Sequence, residues 1–407
     1  MKRILIVGGG AAGLAAAISA AKTARGAQVV VLEGQDRLGK KILATGNGRC
    51  NLGNQHILPA HYETRCPDRL RMLLKSMPAE ATPRFFEQCG LLCTPDEEGR
   101  LYPYCRQASM VLDVLLLALR QAGADVETGA RVTELTMKDG VFTAVAANGM
   151  RWRGDAVILA AGGKAAAKQE SYALAKAFGH HMAPLYPCLV PLRCAHPALK
   201  GLKGIRAHCG VSIERSGRRM SEVGELQFTE YGISGIPAMQ LSRGLGSLQA
   251  EEHICARIDF FPEWDLRQVH EMLCARIRTR AGETLETVFL GLVHKRLLYA
   301  VLKSLSAAPL SRPAAALQDE ELRALATALK DWPMEVTGTL SWEHAQVTGG
   351  GVVLDEVDDC LQSRLQPGLY LAGEMLDVAG MCGGYNLHWA WCSGILAGTA
   401  AARRETK

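Results

Sequence analysis

Gly8, Gly10 and Gly13 stand at the spacing G-x-G-x-x-G, between the apolar, β-branched run 4–7 and the alanine-rich run 14–21. A buried strand that turns through glycine into a helix leaves unpaired backbone N–H groups at the helix start, where a phosphate is held. Gly8 suits the tight turn, Gly10 lets backbone approach a pyrophosphate, and Gly13 lets helix and strand pack closely. Glu33 closes a second apolar run, 28–32, and lies 20 residues after Gly13, where a carboxylate accepts hydrogen bonds from a ribose. The chemistry expected is binding of an adenine dinucleotide.

Two further stretches carry suitable residue types. The loop 39–51 contains Gly46, Asn47 and Gly48, which permit unusual backbone angles, and Lys40, Lys41 and Arg49, which would neutralise a diphosphate or face a flavin ring. Near the end, the strand 368–374 finishes on Gly373-Glu374, Asp377 follows, and 382–386 opens an apolar helix running to about Ala401. A glycine-opened helix after a buried strand is a second N-terminus for an electronegative group. The strand 155–163 ends in small residues, Ala161, Gly162 and Gly163, where backbone passes close to the ligand again. A long loop after Glu33, an interrupted sheet and the returning C-terminal helix suit an extended FAD better than NAD. No second G-x-G-x-x-G occurs, so NAD(P)H is expected to dock transiently as electron donor.

The bulk properties narrow the field. The chain has 407 residues, long enough for two or three domains, and a mean hydropathy near zero. The longest apolar stretches, such as 110–119 with its Asp113, are too short to cross a bilayer. The net charge of +5 is scattered, without a basic run, so nucleic acid is not expected as a partner. The 13 cysteines form no CxxC pair and no His/Cys zinc spacing; they read as reduced thiols packed as small hydrophobes, and no metal is expected. Cys50 has Thr45 and Gln55 at five-residue spacing, so it lacks the partner of a redox-active disulfide. The strand, turn, helix, strand and acid order explains 2–21 better than a signal peptide, and a cytoplasmic location is expected.

The elements that must position these groups are readable in outline. Helices are expected at 67–89 (two, around Pro78 and Pro83) and 107–122, with a hairpin of 91–93 and 100–102 between them. Strands follow at 125–127, 131–138 and 141–148, with Asp139-Gly140 as a hairpin turn. From about 184–191 the texture changes. Short β segments (190–193, 211–214, 224–228, 256–259), helical runs (264–280, 284–305, 315–330) and a strand at 335–342 suggest an insertion with a β part and a helical part. The strand 345–353 is expected to be interrupted at Thr348-Gly349-Gly350-Gly351.

The motifs at 39–41 and 46–51, Gly224–Thr229 with 232–235, 348–351, 368–378 and 383–391 are similar to those of one flavoprotein group. It is the BaiN-like, aminoacetone-oxidase-like family of FAD-dependent oxidoreductases, and the similarity covers nearly the whole chain. The resemblance implies an α/β fold: a Rossmann-type FAD-binding domain (1–188 and 343–407), an inserted β-rich domain (189–262 and 334–342), and a helical domain within it (263–333). Cofactor contacts are expected from Gly8, Gly10, Ala11, Ala12, Gly13 and Glu33 at the adenosine and pyrophosphate end, and from Val132. Others are expected from Lys41, Gly46, Gly48, Arg49, Cys50, Asn51, Ala161, Gly162, Gly373, Glu374, Asp377, Gly384, Tyr385, Asn386 and Leu387.

Activities in this family include reduction of conjugated C=C bonds in 3-oxo bile-acid intermediates and oxidation of small amines. An enone reductase needs an acid for the carbon opposite the hydride and donors on the 3-oxo group. The candidates are Tyr385, His388 and Arg49, with Tyr102 beside them. Trp389 and Trp391 read as core residues. The reading is a reductase of an apolar small molecule, with an amine oxidase, or a flavoprotein acting on a macromolecule or a redox-protein partner, as alternatives.

Overall fold

A computed structural model describes residues 1–24, 26–165, 171–215, 217–246, 253–305 and 310–405. The chain divides into two compact units, Met1–Tyr186 with Gln346–Lys407, and Pro187–Ala345.

The first unit is built on a parallel sheet. Strands β1 (Arg3–Val7), β2 (Gln28–Leu32), β3 (Asp125–Glu127), β4 (Ala156–Leu159) and β5 (Leu369–Leu371) lie in the spatial order β5-β4-β1-β2-β3. Ile4, Leu5 and Ile6 are completely buried, as are Val157, Ile158 and Leu159. Burial on both faces is what an unbroken apolar run encodes in a parallel strand.

Helix α1 (Ala11–Thr23) follows β1, and helix α2 (Tyr385–Arg403) ends the fold. The two touch along their backbones. A Cβ on Gly394 would lie 2.2 Å from the Ala12 carbonyl oxygen, and one on Gly398 would lie 2.3 Å from that of Ala16. Both pairs are spaced by four residues, one helical turn, so small residues on matched faces bring the helices together. Lys2, next to β1, donates to the carbonyls of Ala402 (3.0 Å) and Arg404 at the end of α2. It thereby satisfies orphan C-terminal carbonyls and joins the two ends of the chain.

Around this sheet the sequence expectations hold with small shifts. Helices occupy Pro67–Lys75, Ala81–Gln88 and Ala108–Gln121. Strands Val132–Lys138 and Val141–Ala146 are joined by Asp139 and Gly140, both with positive φ (52° and 79°). That is the backbone of a type I′ hairpin turn. Strand Val347–Val352 runs unbroken through its glycines, against the interruption expected there. Gly350 and Gly351 do take positive φ (80° and 141°), so the glycines shape the strand without ending it.

The second unit is a closed antiparallel barrel in the order Leu192–Ala195, Gly232–Ser234, Arg218–Phe228, Arg206–Arg215, Ile254–Asp259 and Trp332–Thr339. Helices Leu266–Thr279, Leu285–Val288, Lys295–Ser304 and Asp319–Lys330 fall between its last two strands. Barrel residues such as Ile213, Leu226 and Ile258 share one core with Val269, Leu298 and Leu325 from the helices. The last barrel strand begins at Trp332, ahead of the expected Glu335. Pro333 masks a period-2 pattern in which Trp332, Met334 and Val336 point inward and are buried while Pro333 is exposed. Among the described residues no helix is long and apolar enough to cross a membrane.

Candidate functional site

The first unit gathers its glycine turns at the carboxyl end of the parallel sheet. Gly8 has φ +106°, and a Cβ on it would sit 2.5 Å from the Ala160 carbonyl oxygen. A Cβ on Gly13 would lie 1.8 Å from the Gly8 oxygen, so the helix start rests on the turn. Gly10 is the N-cap of α1, in extended conformation, with no capping side chain and no acid in the first turn. A Cβ there would meet nothing within 4 Å. The N–H groups at Ala11 and Ala12 therefore open a helix with no capping side chain and no acid within its own first turn.

Glu33 is held at this end by two backbone donors. Its carboxylate accepts from Gly9 N (Oε2, 2.7 Å) and from Gln35 N (Oε1, 2.7 Å). The Glu33 carbonyl accepts from Ala130 N at 2.8 Å, which brings the start of the 132–138 strand, and Val132 with it, next to this corner.

Strand β4 and the turn after β5 form the middle of the site. A Cβ on Gly163 would lie 2.4 Å from Thr348 Oγ1 and 2.7 Å from Glu374 Oε1; one on Gly373 would lie 2.8 Å from Ala12 Cβ. Ala161 and Gly162 (φ +76°) lead into this contact. Glu374 accepts from Lys41 Nζ at 2.7 Å and from Thr348 N at 2.6 Å, and Tyr172 donates its hydroxyl to the Glu374 carbonyl at 3.1 Å. Burial alone would raise the Glu374 pKa, but the Lys41 ammonium and the Thr348 N–H outweigh it and hold the carboxyl below its ordinary value. Ser393 Oγ and Trp389 Nε1 bind Gly373 N (2.9 Å) and Gly373 O (3.1 Å), so α2 fixes the turn from behind.

The third part joins the loop after β2 to the start of α2. Gly46, Asn47 and Gly48 all take positive φ (56°, 54° and 80°), as does Cys50 (58°). Gly384, the N-cap of α2, has φ +98°, and a Cβ there would strike Gly53 O (2.2 Å) and Asn51 Oδ1 (2.5 Å). Asn54 Nδ2 donates to Gly383 O at 3.0 Å, and Asn386 both donates to and accepts from Gly380. The start of α2 has no capping side chain and no acid in its first turn, which includes Tyr385, Asn386 and Leu387. Asn51 Oδ1 is a buried oxygen without a hydrogen-bond partner.

These features fit FAD. Two helices of more than ten residues present uncapped N-termini, which suit a diphosphate and an electron-rich ring edge. The space above Gly10 admits a pyrophosphate, and the orphaned Asn51 oxygen awaits a donor, which a flavin ring carries. Gly8–Gly13, Glu33, Lys41, Asn51, Glu374 and the start of α2 would hold the group.

The remaining candidates take different places. Tyr385 is nearly buried; its ring lies 4.5 Å from that of His61 and edge-on to Tyr62 at 6.0 Å. Burial raises its phenol pKa. Arg49 is exposed and has no ion pair among the described residues. Tyr102 lies beside Gly46, with the Arg106 guanidinium 4.6 Å above its ring. Asp377 is buried and accepts from Arg65 N at 2.9 Å; burial raises its pKa. Cys50 is completely buried and burial pushes its thiol up to about 11, the behaviour of a packed structural cysteine.

His388 is a correction. It is 0% exposed, with Thr82 Oγ1 at 2.8 Å from Nδ1 and the Met77 carbonyl at 3.0 Å from Nε2. A carbonyl only accepts, so Nε2 carries the proton and Nδ1 accepts from Thr82. Desolvation lowers its pKa. The ring ties α2 to the 77–82 segment and has no free proton for a substrate. Trp389 and Trp391 are core residues as expected, with Trp391 Nε1 on the Leu52 carbonyl at 3.1 Å. Thr348 and Tyr172, which brace Glu374, carry no local signal; Gly394 and Gly398 carry one, the G-x-x-x-G spacing in a helix.

Comparison with known proteins gives the family. The chain is 40% identical over 412 residues to a 3-dehydro-bile acid delta(4,6)-reductase of Clostridium scindens, covering 99% of this chain and 100% of that one. It is 27% identical over 398 residues to a ribosomal RNA dihydrouridine synthase of Escherichia coli, covering 96% and 95%. Among solved structures, a 3-ketosteroid-delta4-(5alpha)-dehydrogenase from Rhodococcus jostii aligns over 99% of this chain and 97% of that one, with 17% identity and a TM-score of 0.48. The model of the HI0933-like protein Rossmann domain matches residues 2–400, and the chain belongs to that family, a family of FAD-dependent oxidoreductases.

Proposed function

We propose that this oxidoreductase reduces a C=C bond conjugated to the 3-oxo group of a steroid or bile-acid intermediate, in the cytoplasm, with NAD(P)H as a transient electron donor. The 40% identity to a 3-dehydro-bile acid delta(4,6)-reductase over the full length of both chains carries this reading. FAD, when bound and reduced by the NAD(P)H donor, would supply the hydride, and the proton would come from the protein. Tyr385, which burial keeps protonated, is the proposed proton donor to the carbon opposite the hydride. Arg49, exposed beside the left-handed turn at Gly46 and Asn47, is the proposed donor to the 3-oxo oxygen, where negative charge develops. The uncapped start of α2 supports the negative charge of a reduced ring.

A second reading, reduction of a pyrimidine in structured RNA, is supported by the 27% identity to ribosomal RNA dihydrouridine synthases. The scattered positive charge, without a basic run, speaks against it.

The test is anaerobic. The flavin of the purified protein is photoreduced and its reoxidation is followed with a 3-oxo-4,6-diene bile acid or with uridine-containing ribosomal RNA. Rapid reoxidation by the steroid alone is expected. Reoxidation by RNA alone replaces the first reading with the second, and no flavin absorbance in folded protein overturns both.

A further inference from the structure

We propose that the helical part of the second unit carries a transition-metal site made by His270, Cys274 and Asp319, with zinc the best-matched ion. His270 and Cys274 are four residues apart on the Leu266–Thr279 helix and so share one face. Val269 and Leu273 are fully buried beside them and fix that helix in the core. Asp319 is the first residue of the Asp319–Lys330 helix, which packs against it.

The ligand atoms are gathered as a metal site needs, and Cys274 Sγ lies 3.7 Å from Nε2 and 4.0 Å from Nδ1 of His270, so a turn of the ring would aim Nε2 at an ion shared with the thiolate. Nε2 of His270 lies 3.2 Å from Asp319 Oδ1, and the three ligand atoms lie within 4.8 Å of one another. Ordinary Zn–N, Zn–O and Zn–S bonds in a tetrahedron require edges of about 3.3 Å for N···O and about 3.6 Å for N···S. The second oxygen of Asp319 is held by Arg323 Nη2 at 2.8 Å, which aims Oδ1 at the site as outer partners of metal ligands do. One thiolate, one imidazole and one carboxylate favour zinc, or cobalt in its place, over magnesium or calcium. His270 and Cys274 are partly buried and Asp319 is exposed, so an ion can enter and a water can fill the fourth position. The site would clip the two helices together. Asp319 comes from a helix 45 positions beyond Cys274, so the pair His270 and Cys274 alone does not announce the site in the sequence.

The experiment uses the full-length untagged protein, stripped with a chelator under anaerobic conditions and titrated with Co²⁺. The expected result is a thiolate-to-cobalt charge-transfer band that saturates at one equivalent, is lost in Cys274→Ser, and is competed away by Zn²⁺. Zn²⁺ is also expected to raise the melting temperature of the wild type and to leave that of Cys274→Ser and His270→Gln unchanged. Melting of the metal-free variants beside the metal-free wild type separates loss of the site from loss of the fold. Absence of the band at excess Co²⁺, or its persistence in Cys274→Ser, overturns the proposal.

Discussion

Lys41 Nζ lies 2.7 Å from Glu374 Oε2. The pair links the loop after β2 to the turn after β5, segments 333 positions apart, at the end of the sheet where the cofactor fits. Lys41 is 43% exposed, so the ion pair alone contributes about 0.5 kcal/mol. The Thr348 N–H on the same carboxylate adds a charge-assisted hydrogen bond. We expect Glu374→Gln to raise the Kd for FAD by about three- to tenfold, measured by flavin fluorescence on titration of apoprotein, with Lys41→Ala giving the smaller effect.

The same carboxylate sets a pH dependence. Its pKa is lowered in the folded state, so the unfolded chain binds the proton more readily. The stability it contributes is complete above the ordinary glutamate pKa of about 4.3 and is lost as pH falls through the lowered value. Urea midpoints followed from neutral into acid solution are expected to fall less steeply in Glu374→Gln than in the wild type. Equal slopes would refute the assignment.

The glycine fingerprint should divide by its two physical roles. Gly8→Ala places a methyl 2.5 Å from a carbonyl oxygen at a φ of +106°, and the protein is expected to lose stability by several kcal/mol or fail to fold. Gly10→Ala meets nothing within 4 Å, so its circular dichroism and melting should match the wild type while FAD binding is lost. Retained flavin in Gly10→Ala would show that the pyrophosphate lies elsewhere.

The contact of α1 with α2 predicts a stability effect away from the chemistry. Gly394→Ala and Gly398→Ala each push a methyl into a carbonyl of α1 and are expected to cost about 1–3 kcal/mol in urea unfolding. Gly201 lies in a helical turn, with ordinary φ and nothing within 4 Å of an added Cβ; Gly201→Ala should be neutral or stabilising by up to about 1 kcal/mol.

His388 should behave as a structural residue. Removing the ring leaves the Met77 carbonyl and Thr82 hydroxyl without partners, and His388→Ala is expected to cost about 1–3 kcal/mol. Its folded pKa is lowered, so the unfolded state protonates first. The stability it contributes is complete above the ordinary histidine pKa of about 6.5 and declines as pH falls through that value toward the lowered one. The pH profile of the reductive step is expected to be unchanged in His388→Ala; loss or displacement of its alkaline limb would restore His388 as a proton donor.

Local pattern was enough to show the strand, glycine turn and helix start at the beginning of the first unit. Gly8–Gly13, the apolar strands on either side and Glu33 are neighbours in sequence, and a β-strand, a tight turn and a helix N-terminus are short-range structures. The same holds for the hairpin at Asp139-Gly140 and for the glycine opening of α2. The tertiary structure decided what depends on distant partners. It spent the His388 ring on Met77 and Thr82, ran the 347–352 strand through its glycines, and closed six strands into a barrel whose last member Pro333 had obscured. It also set Lys41 on Glu374 and His270 beside Asp319. Periodicity shows which face of an element is buried; only packing of the whole chain shows which charged or titratable groups meet there, because such contacts join residues hundreds of positions apart and leave no repeat to read.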